Sequence, residues 1–262
     1  MNSLLETAIK ASIEAGKKIL RVYEEEDFEI ENKADDSPLT EADLAAHKTI
    51  ISFLEQTQIP VLSEEGKHAP YAERKKWQHL WIVDPLDGTK EFIKRNGEFT
   101  VNIALIRNQQ PVLGVIYVPV LKELYFADKE TGAFKVEGVS EFVNIEEVTS
   151  EAKQLPVAIE GKAYTVVASK SHLSLETEKY IDSLRKKFGE VNIISKGSSL
   201  KLCMVAEGQA NIYPRFGPTM EWDTAAGHAI CNCAGKYLTD YKTGKEMLYN
   251  REDLKNDWFI VR

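Results

Sequence analysis

Cysteine is scarce in this chain, with three in 262 residues, an odd number. Cys203 lies in an apolar helical pattern, and Cys231-x-Cys233 has the wrong spacing for a C-x-x-C redox or zinc motif. The expectation is reduced, buried thiols in a cytoplasmic protein and no disulfide framework. Long hydrophobic runs are also missing, since no stretch approaches the ~18 apolar residues of a membrane span. The N-terminus carries Leu5, Ile9, Ile13, Ile19 and Leu20 at helical spacing among Glu6, Glu14, Lys17 and Lys18, which reads as an amphipathic helix and not a signal peptide. Soluble cytoplasm is the expected location, with peripheral attachment to the inner face of the cell membrane as the alternative. There is no excess of basic residues: 33 Lys and Arg against 41 Asp and Glu leave a net charge of -8. That argues against a nucleic-acid polymer as partner, because phosphate-backbone affinity needs clustered cations. A small anionic substrate remains compatible, provided a few cations or a metal sit locally.

Apolar residues make up 43% of the chain, enough for a sizeable core, and there is no internal repeat or low-complexity segment. The spacing predicts helices over residues 3–24 and from Thr40 to about Gln56. A short strand at Pro60-Val61-Leu62 ends in Ser63-Glu64-Glu65, and a second covers Leu80–Val83. From Phe99 the period changes to strands at 99–106, 112–118 and 123–127, with turns at 108–111 and 119–120, an antiparallel meander. Residues 138–160 are poorly periodic and read as a connection. Strands at 164–168, 191–194 and 210–213 then alternate with helices at 175–188, 199–207 and 224–234. Alternation of this kind predicts layered α/β packing. The chain is expected to divide into an α+β half, 1–150, and an α/β half, 151–262.

One segment is unusual. The apolar run Trp81-Ile82-Val83 ends in Asp84-Pro85-Leu86-Asp87-Gly88-Thr89, two aspartates three residues apart. Pro85 biases Asp84 toward an extended strand end, Gly88 permits a tight turn, and Thr89 can cap a helix from Lys90. Two carboxylates, the Leu86 carbonyl and helix N–H groups would then share one space, suited to a hard cation beside a phosphate. An Asx-turn with a solvated strand end explains the same residues equally well. Glu64 and Asp223 also stand at element ends. Four acids with no His or Cys among them make an oxygen-only ligand set that favours Mg²⁺ over Zn²⁺. Asp223 has its own bland account as the N-cap of the helix from Thr224, and Asp43 as the last member of a capping box, Thr40-Glu41-Ala42-Asp43.

Taken together, Glu64-Glu65 after a strand, Trp81–Thr89 and Trp222-Asp223-Thr224-Ala225-Ala226-Gly227 resemble the lithium-sensitive, magnesium-dependent phosphatase superfamily that includes inositol monophosphatase and fructose-1,6-bisphosphatase. Residues 84–106, 197–201, 205–210, 213–219 and 222–229 are most similar to its bacterial 3'(2'),5'-bisphosphate nucleotidases. The resemblance implies an αβαβα sandwich. It implies hydrolysis of the 3'-phosphate of adenosine 3',5'-bisphosphate to AMP, with 3'-phosphoadenosine 5'-phosphosulfate as a further substrate, and a role in clearing the by-product of sulfate assimilation. By position, Glu64, Asp84 and the Leu86 carbonyl would hold a first Mg²⁺, and Asp84, Asp87 and Asp223 a second. Thr89 and Asp43 would polarise the attacking water, with Glu64 also counted as catalytic. The scissile phosphate would meet Gly88 and Thr89. His172, Ser198, Lys201 and Arg215 would join Glu64, Leu86, Asp87 and Asp223 in contacting the substrate. Lys201 and Arg215 fit that role physically, since an acidic protein must place positive charge locally for the phosphate that is not cleaved. Lys201 and His172 could equally be solvated residues. The rivals are an inositol-phosphate or fructose-1,6-bisphosphate phosphatase and, from another class, a non-catalytic nucleotide sensor.

Overall fold

The amphipathic N-terminus forms α1 (Ser3–Glu24), whose apolar stripe of Leu5, Ile9, Ile13 and Ile19 is wholly buried. The computed structural model describes residues 3–25, 30–32, 38–157, 163–168 and 174–262. An antiparallel pair, β1 (Ile30–Asn32) and β2 (Pro38–Thr40), leads into α2 (Glu41–Leu54), which packs along α1. The expected second helix is thus shorter at both ends: Thr40 is its N-cap, and Glu55–Thr57 tightens into a 3₁₀ turn.

A seven-stranded sheet comes next. Its strands are β3 (Val61–Ser63), β4 (His79–Asp87), β5 (Thr100–Arg107), β6 (Gln110–Val118), β7 (Glu123–Asp128), β8 (Gly132–Val136) and β9 (Lys153–Gln154), in that spatial order. Only β3 and β4 run parallel; β5, β6 and β7 form the expected antiparallel meander, which β4 extends on one side and β8 and β9, not expected as strands, extend on the other. Two short helices interrupt it, α3 (Tyr71–Arg74) and α4 (Thr89–Ile93). The segment 138–160 is more than a connection. Its described part holds α5 (Ile145–Thr149) and the edge strand β9, too short to carry a period of its own.

Beyond the sheet lie β10 (Tyr164–Ala168), α6 (Leu175–Phe188), β11 (Val191–Ser195), α7 (Leu200–Glu207), β12 (Tyr213–Arg215), α8 (Glu221–Cys233), β13 (Leu238–Asp240) and β14 (Phe259–Val261). β10 and β11 pair in parallel, and β12, β14 and β13 form an antiparallel sheet. The strand expected at 210–213 lies later, because its partner β14 sets the register at Tyr213–Arg215. α8 likewise begins at Glu221, three residues before the expected start.

The layers stack as αβαβα. One core fills the space between α1, α2 and the large sheet, and a second lies between the opposite sheet face and α7 and α8. A third cluster, with Ile181, Phe216 and Ile260, packs α6 onto the outer strands. Strands covered on both faces lose their alternation: β5 is buried at every position except Arg107. The three cysteines are free thiols, and burial pushes Cys231 up to about 12. Among the described residues, no helix is long and apolar enough to cross a membrane.

Candidate active site

Parallel pairing of β3 with β4 places Ser63 opposite Val83, so Glu64 and Asp84 leave the sheet side by side. The Glu64 N–H donates to the Val83 carbonyl at 3.1 Å. β4 does not stop at Val83 as expected. It continues to Asp87 through a bulge, with Asp84 opposite Asn102 and Asp87 opposite Thr100. A bulge re-aims side chains without ending the ladder, and here it turns two aspartates to one side. Asp84 Oδ1 accepts the Leu86 N–H at 3.1 Å, while the Leu86 side chain is anchored in the core. Gly88 has φ of +97°, and a Cβ there would lie 3.2 Å from both the Glu98 carbonyl and Ser198 Cβ. A glycine is needed at this turn for conformation and for space. The helix α4 then starts at Thr89 itself, one residue before the expected position, with Gly88 as its cap.

Asp43 and Asp223 occupy the same place on different helices. Each is the third residue of its helix, not the N-cap that Asp223 was expected to be, and each ties Oδ2 to the main chain before the helix. The Thr40 N–H donates to Asp43 Oδ2 at 2.8 Å, and the Met220 N–H to Asp223 Oδ2 at 2.8 Å. The second oxygen of Asp43 then accepts the Thr89 hydroxyl at 3.1 Å. His68, ring-packed 5.4 Å from Trp222, ties the loop after Glu64 to the start of α8.

Carboxylate oxygens of Asp84, Asp87 and Asp223 converge within 4.8 Å of one another. Glu64 stands outside that trio but close enough to act on it electrostatically. Burial, and then the charges of Glu64, Asp87, Asp223 and Asp43, hold the Asp84 carboxyl well above the usual range. Burial and Asp87 push Asp223 up to about 8. Like charges buried this close together repel, and the donor set is oxygen throughout, so the residues fit a hard divalent cation such as Mg²⁺.

Three supporting residues carry no motif that marks them in the sequence. Ser199 donates to Asp87 Oδ2 at 2.6 Å and also lies 2.9 Å from the Asp223 carbonyl. Asn102 Nδ2 donates to Ser199 Oγ at 2.9 Å, and Thr100 donates to Asn102 Oδ1 at 2.9 Å. All three are buried. The available signal was Thr100-x-Asn102, two polar residues on one face of an otherwise apolar strand.

Asp87 and Asp223 of the trio line a crevice of about 360 Å³ that reaches Gly88, Lys196, Ser198, Lys201, Tyr213 and Arg215. The Lys201 side chain is only 6% exposed, and Nζ donates to the Lys196 carbonyl at 3.2 Å and to the Ser198 carbonyl. Burial lowers its pKa to about 8, with Asp87 opposing the fall. It is not the solvated lysine the sequence also allowed. Arg215 donates to the Pro218 carbonyl at 2.9 Å, and its buried Nε has no partner among the described residues. The Ser198 hydroxyl lies 2.8 Å from Thr100 Oγ1 and accepts the Ser199 N–H at 2.6 Å. Ser198, Lys201 and Arg215 therefore share the crevice with Asp87, Gly88 and Asp223, whereas His172 lies outside the described residues.

A model of the inositol monophosphatase family matches residues 1–258. The chain belongs to the inositol monophosphatase family. Within the family, the chain is 49% identical over 263 residues to the 3'(2'),5'-bisphosphate nucleotidase CysQ of Salmonella typhimurium, covering 98% of this chain and 99% of that protein. The protein of the same name from Escherichia coli strain K12 is 46% identical over 263 residues, with the same coverage. Among solved structures, CysQ from Bacteroides thetaiotaomicron, a bacterial member of the family, superposes with a TM-score of 0.91 at 56% identity, covering 99% of this chain and 96% of that one.

Proposed function

We propose that this member of the family is a Mg²⁺-dependent phosphomonoesterase that removes the 3'-phosphate of adenosine 3',5'-bisphosphate, giving AMP and phosphate. 3'-Phosphoadenosine 5'-phosphosulfate is the proposed further substrate. The observation that carries the reading is a single crevice lined by Asp87 and Asp223 of the acidic trio together with Lys201 and Arg215. A substrate with two phosphates, one for cations held by the acids and one for the basic side chains, matches that lining, and the relatives above are named for bisphosphate nucleotides.

In this reading, the first 150 residues supply most cation ligands, and residues 151–262 bring Asp223 and the nucleotide contacts. Glu64, Asp84 and the Leu86 carbonyl would hold one cation, and Asp84, Asp87 and Asp223 another. Cations bound there acidify water and offset the charge of the phosphate. Thr89 directs its own proton to Asp43 Oδ1, which leaves the Thr89 oxygen to accept a proton from the attacking water. Asp43 is held in that orientation by the Thr40 N–H and hydroxyl. The Gly88-Thr89 turn receives the scissile phosphate, and Ser198, Lys201 and Arg215 receive the phosphate that stays, with His172 assigned to that side by resemblance alone. Phosphoryl transfer asks for positioning and charge compensation more than for a covalent nucleophile.

The deciding experiment is phosphate release from adenosine 3',5'-bisphosphate, inositol 1-phosphate and fructose 1,6-bisphosphate with Mg²⁺, with and without Li⁺. Preference for the nucleotide and inhibition by Li⁺ support the reading. Preference for inositol phosphate or the sugar bisphosphate would overturn the substrate, and no release from any of them would make the protein a sensor.

A further inference from the structure

A carboxylate in the wall of a crevice for a polyanion should repel its ligand, yet Glu98 lines this one. Both of its oxygens face the loop before α7. Oε2 accepts the Gly197 N–H at 2.8 Å, and Oε1 lies 3.3 Å from Lys196 Nζ. The Glu98 side chain is only 16% exposed while Lys196 is 40% exposed, so the hydrogen bond from Gly197 is the better shielded of the two contacts. The loop is seated tightly on the same segment. A Cβ at Gly197 would lie 2.8 Å from Glu91 Cγ and 2.8 Å from the Glu98 carbonyl, closer than any real side chain could approach. Directly after Gly197 the chain presents Ser198, then Ser199 on Asp87, then Lys201, whose ammonium folds back onto the Lys196 and Ser198 carbonyls.

We infer that Glu98 is a positioning residue for recognition of the second phosphate: by gripping Gly197 and Lys196 it fixes the loop that presents Ser198 and Lys201. The inference rests on the proposed nucleotide substrate and adds a specificity device to it. It joins two stretches far apart in sequence, the 90–98 segment and the 196–201 loop, into one recognition unit. Its sign is distinctive. If Glu98 were only a wall charge, removing it would tighten binding of a polyanion; if it positions the loop, removing it loosens binding.

The test compares KM and kcat of wild type, Glu98→Ala and Glu98→Gln on adenosine 3',5'-bisphosphate and on adenosine 3'-monophosphate, which lacks the second phosphate. Glu98→Ala is expected to raise KM for the bisphosphate about tenfold or more, the scale of a lost hydrogen bond to a charged group. Its kcat, and its KM for the monophosphate, should stay within about twofold of wild type, because an interaction equal in ground and transition states moves KM alone. Glu98→Gln should fall between, since its amide oxygen still accepts from Gly197. If melting curves show that Glu98→Ala is unfolded, Glu98→Gln decides by the same comparison. A bisphosphate KM that is unchanged or lower, or an equal loss on both substrates, overturns the inference. A wild type that does not discriminate the two substrates sinks the nucleotide reading and this inference with it. Discrimination that survives in both variants sinks the inference alone.

Discussion

The Thr89 hydroxyl donates to Asp43 Oδ1 at 3.1 Å, linking the first residue of α4 to the third residue of α2 across 46 positions of sequence. Asp43 therefore serves two partners, its own helix start through Oδ2 and Thr89 through Oδ1. The two roles separate by substitution. Asp43→Asn keeps an acceptor for the Thr40 N–H and should leave the melting temperature nearly unchanged. Its kcat is expected to fall about 100-fold or more, the usual scale for proton-transfer groups. Thr89→Val should fall similarly and Thr89→Ser much less, as read by steady-state kinetics at saturating Mg²⁺.

Asp84 is buried among four other carboxylates, so in metal-free protein its charge opposes folding. Asp84→Asn is expected to fall below ~1% of wild-type turnover while melting at or above the wild-type temperature in EDTA. The same physics sets a pH trend for chelated wild type. Asp223 is raised from 3.8 to about 8, so between those values the folded state holds a proton the unfolded state has released. Stability should fall as pH rises through that window and be restored by added Mg²⁺, as followed by thermal melts across pH.

Ser199 bridges Asp87 and the Asp223 main chain without any carboxylate of its own. Ser199→Ala and Asn102→Ala should raise the Mg²⁺ concentration for half-maximal activity by about 10- to 100-fold, the usual cost of losing an outer hydrogen bond to a ligand. Titration of activity with Mg²⁺ measures this. An unchanged midpoint with a lowered kcat would place both residues elsewhere in the chemistry.

Lys201 loses its proton near pH 8 in the free protein because burial disfavours its charge. If Lys201 binds the second phosphate as proposed, KM for the bisphosphate should rise as pH passes about 8, when its ammonium is lost. Lys201→Arg, which stays charged throughout, should flatten the rise even if its KM is higher at neutral pH. The profile from pH 7 to 9.5 is the measurement.

Much of the fold was legible because its signals are local. The 3.6-residue stripe of α1, the short apolar strands and tight turns of the meander and the Asp-Pro-Leu-Asp-Gly-Thr turn all stem from the preferences of a few adjacent residues. The errors fall where a partner distant in sequence sets the boundary. β4 runs past Val83 because Thr100 and Asn102 give it a ladder to pair with. β12 sits at Tyr213–Arg215 because Phe259–Val261 pairs there. β9, two residues long, exists only as an addition to β8.

The acids divide the same way. That Glu64, Asp84, Asp87 and Asp223 stand at element ends, with oxygen as the sole donor type, can be read from residue order alone. That Asp84, Asp87 and Asp223 converge within 4.8 Å is the result of a parallel strand pair, a bulge and a helix start held by its own main chain. Serine and asparagine carry no sequence signal strong enough to mark a supporting role, so Ser199 beneath Asp87, 112 positions away, emerges only when α7 packs against the sheet. Residue types specify what chemistry is available. Which groups act together depends on long-range contacts, and these form only through packing of the two cores.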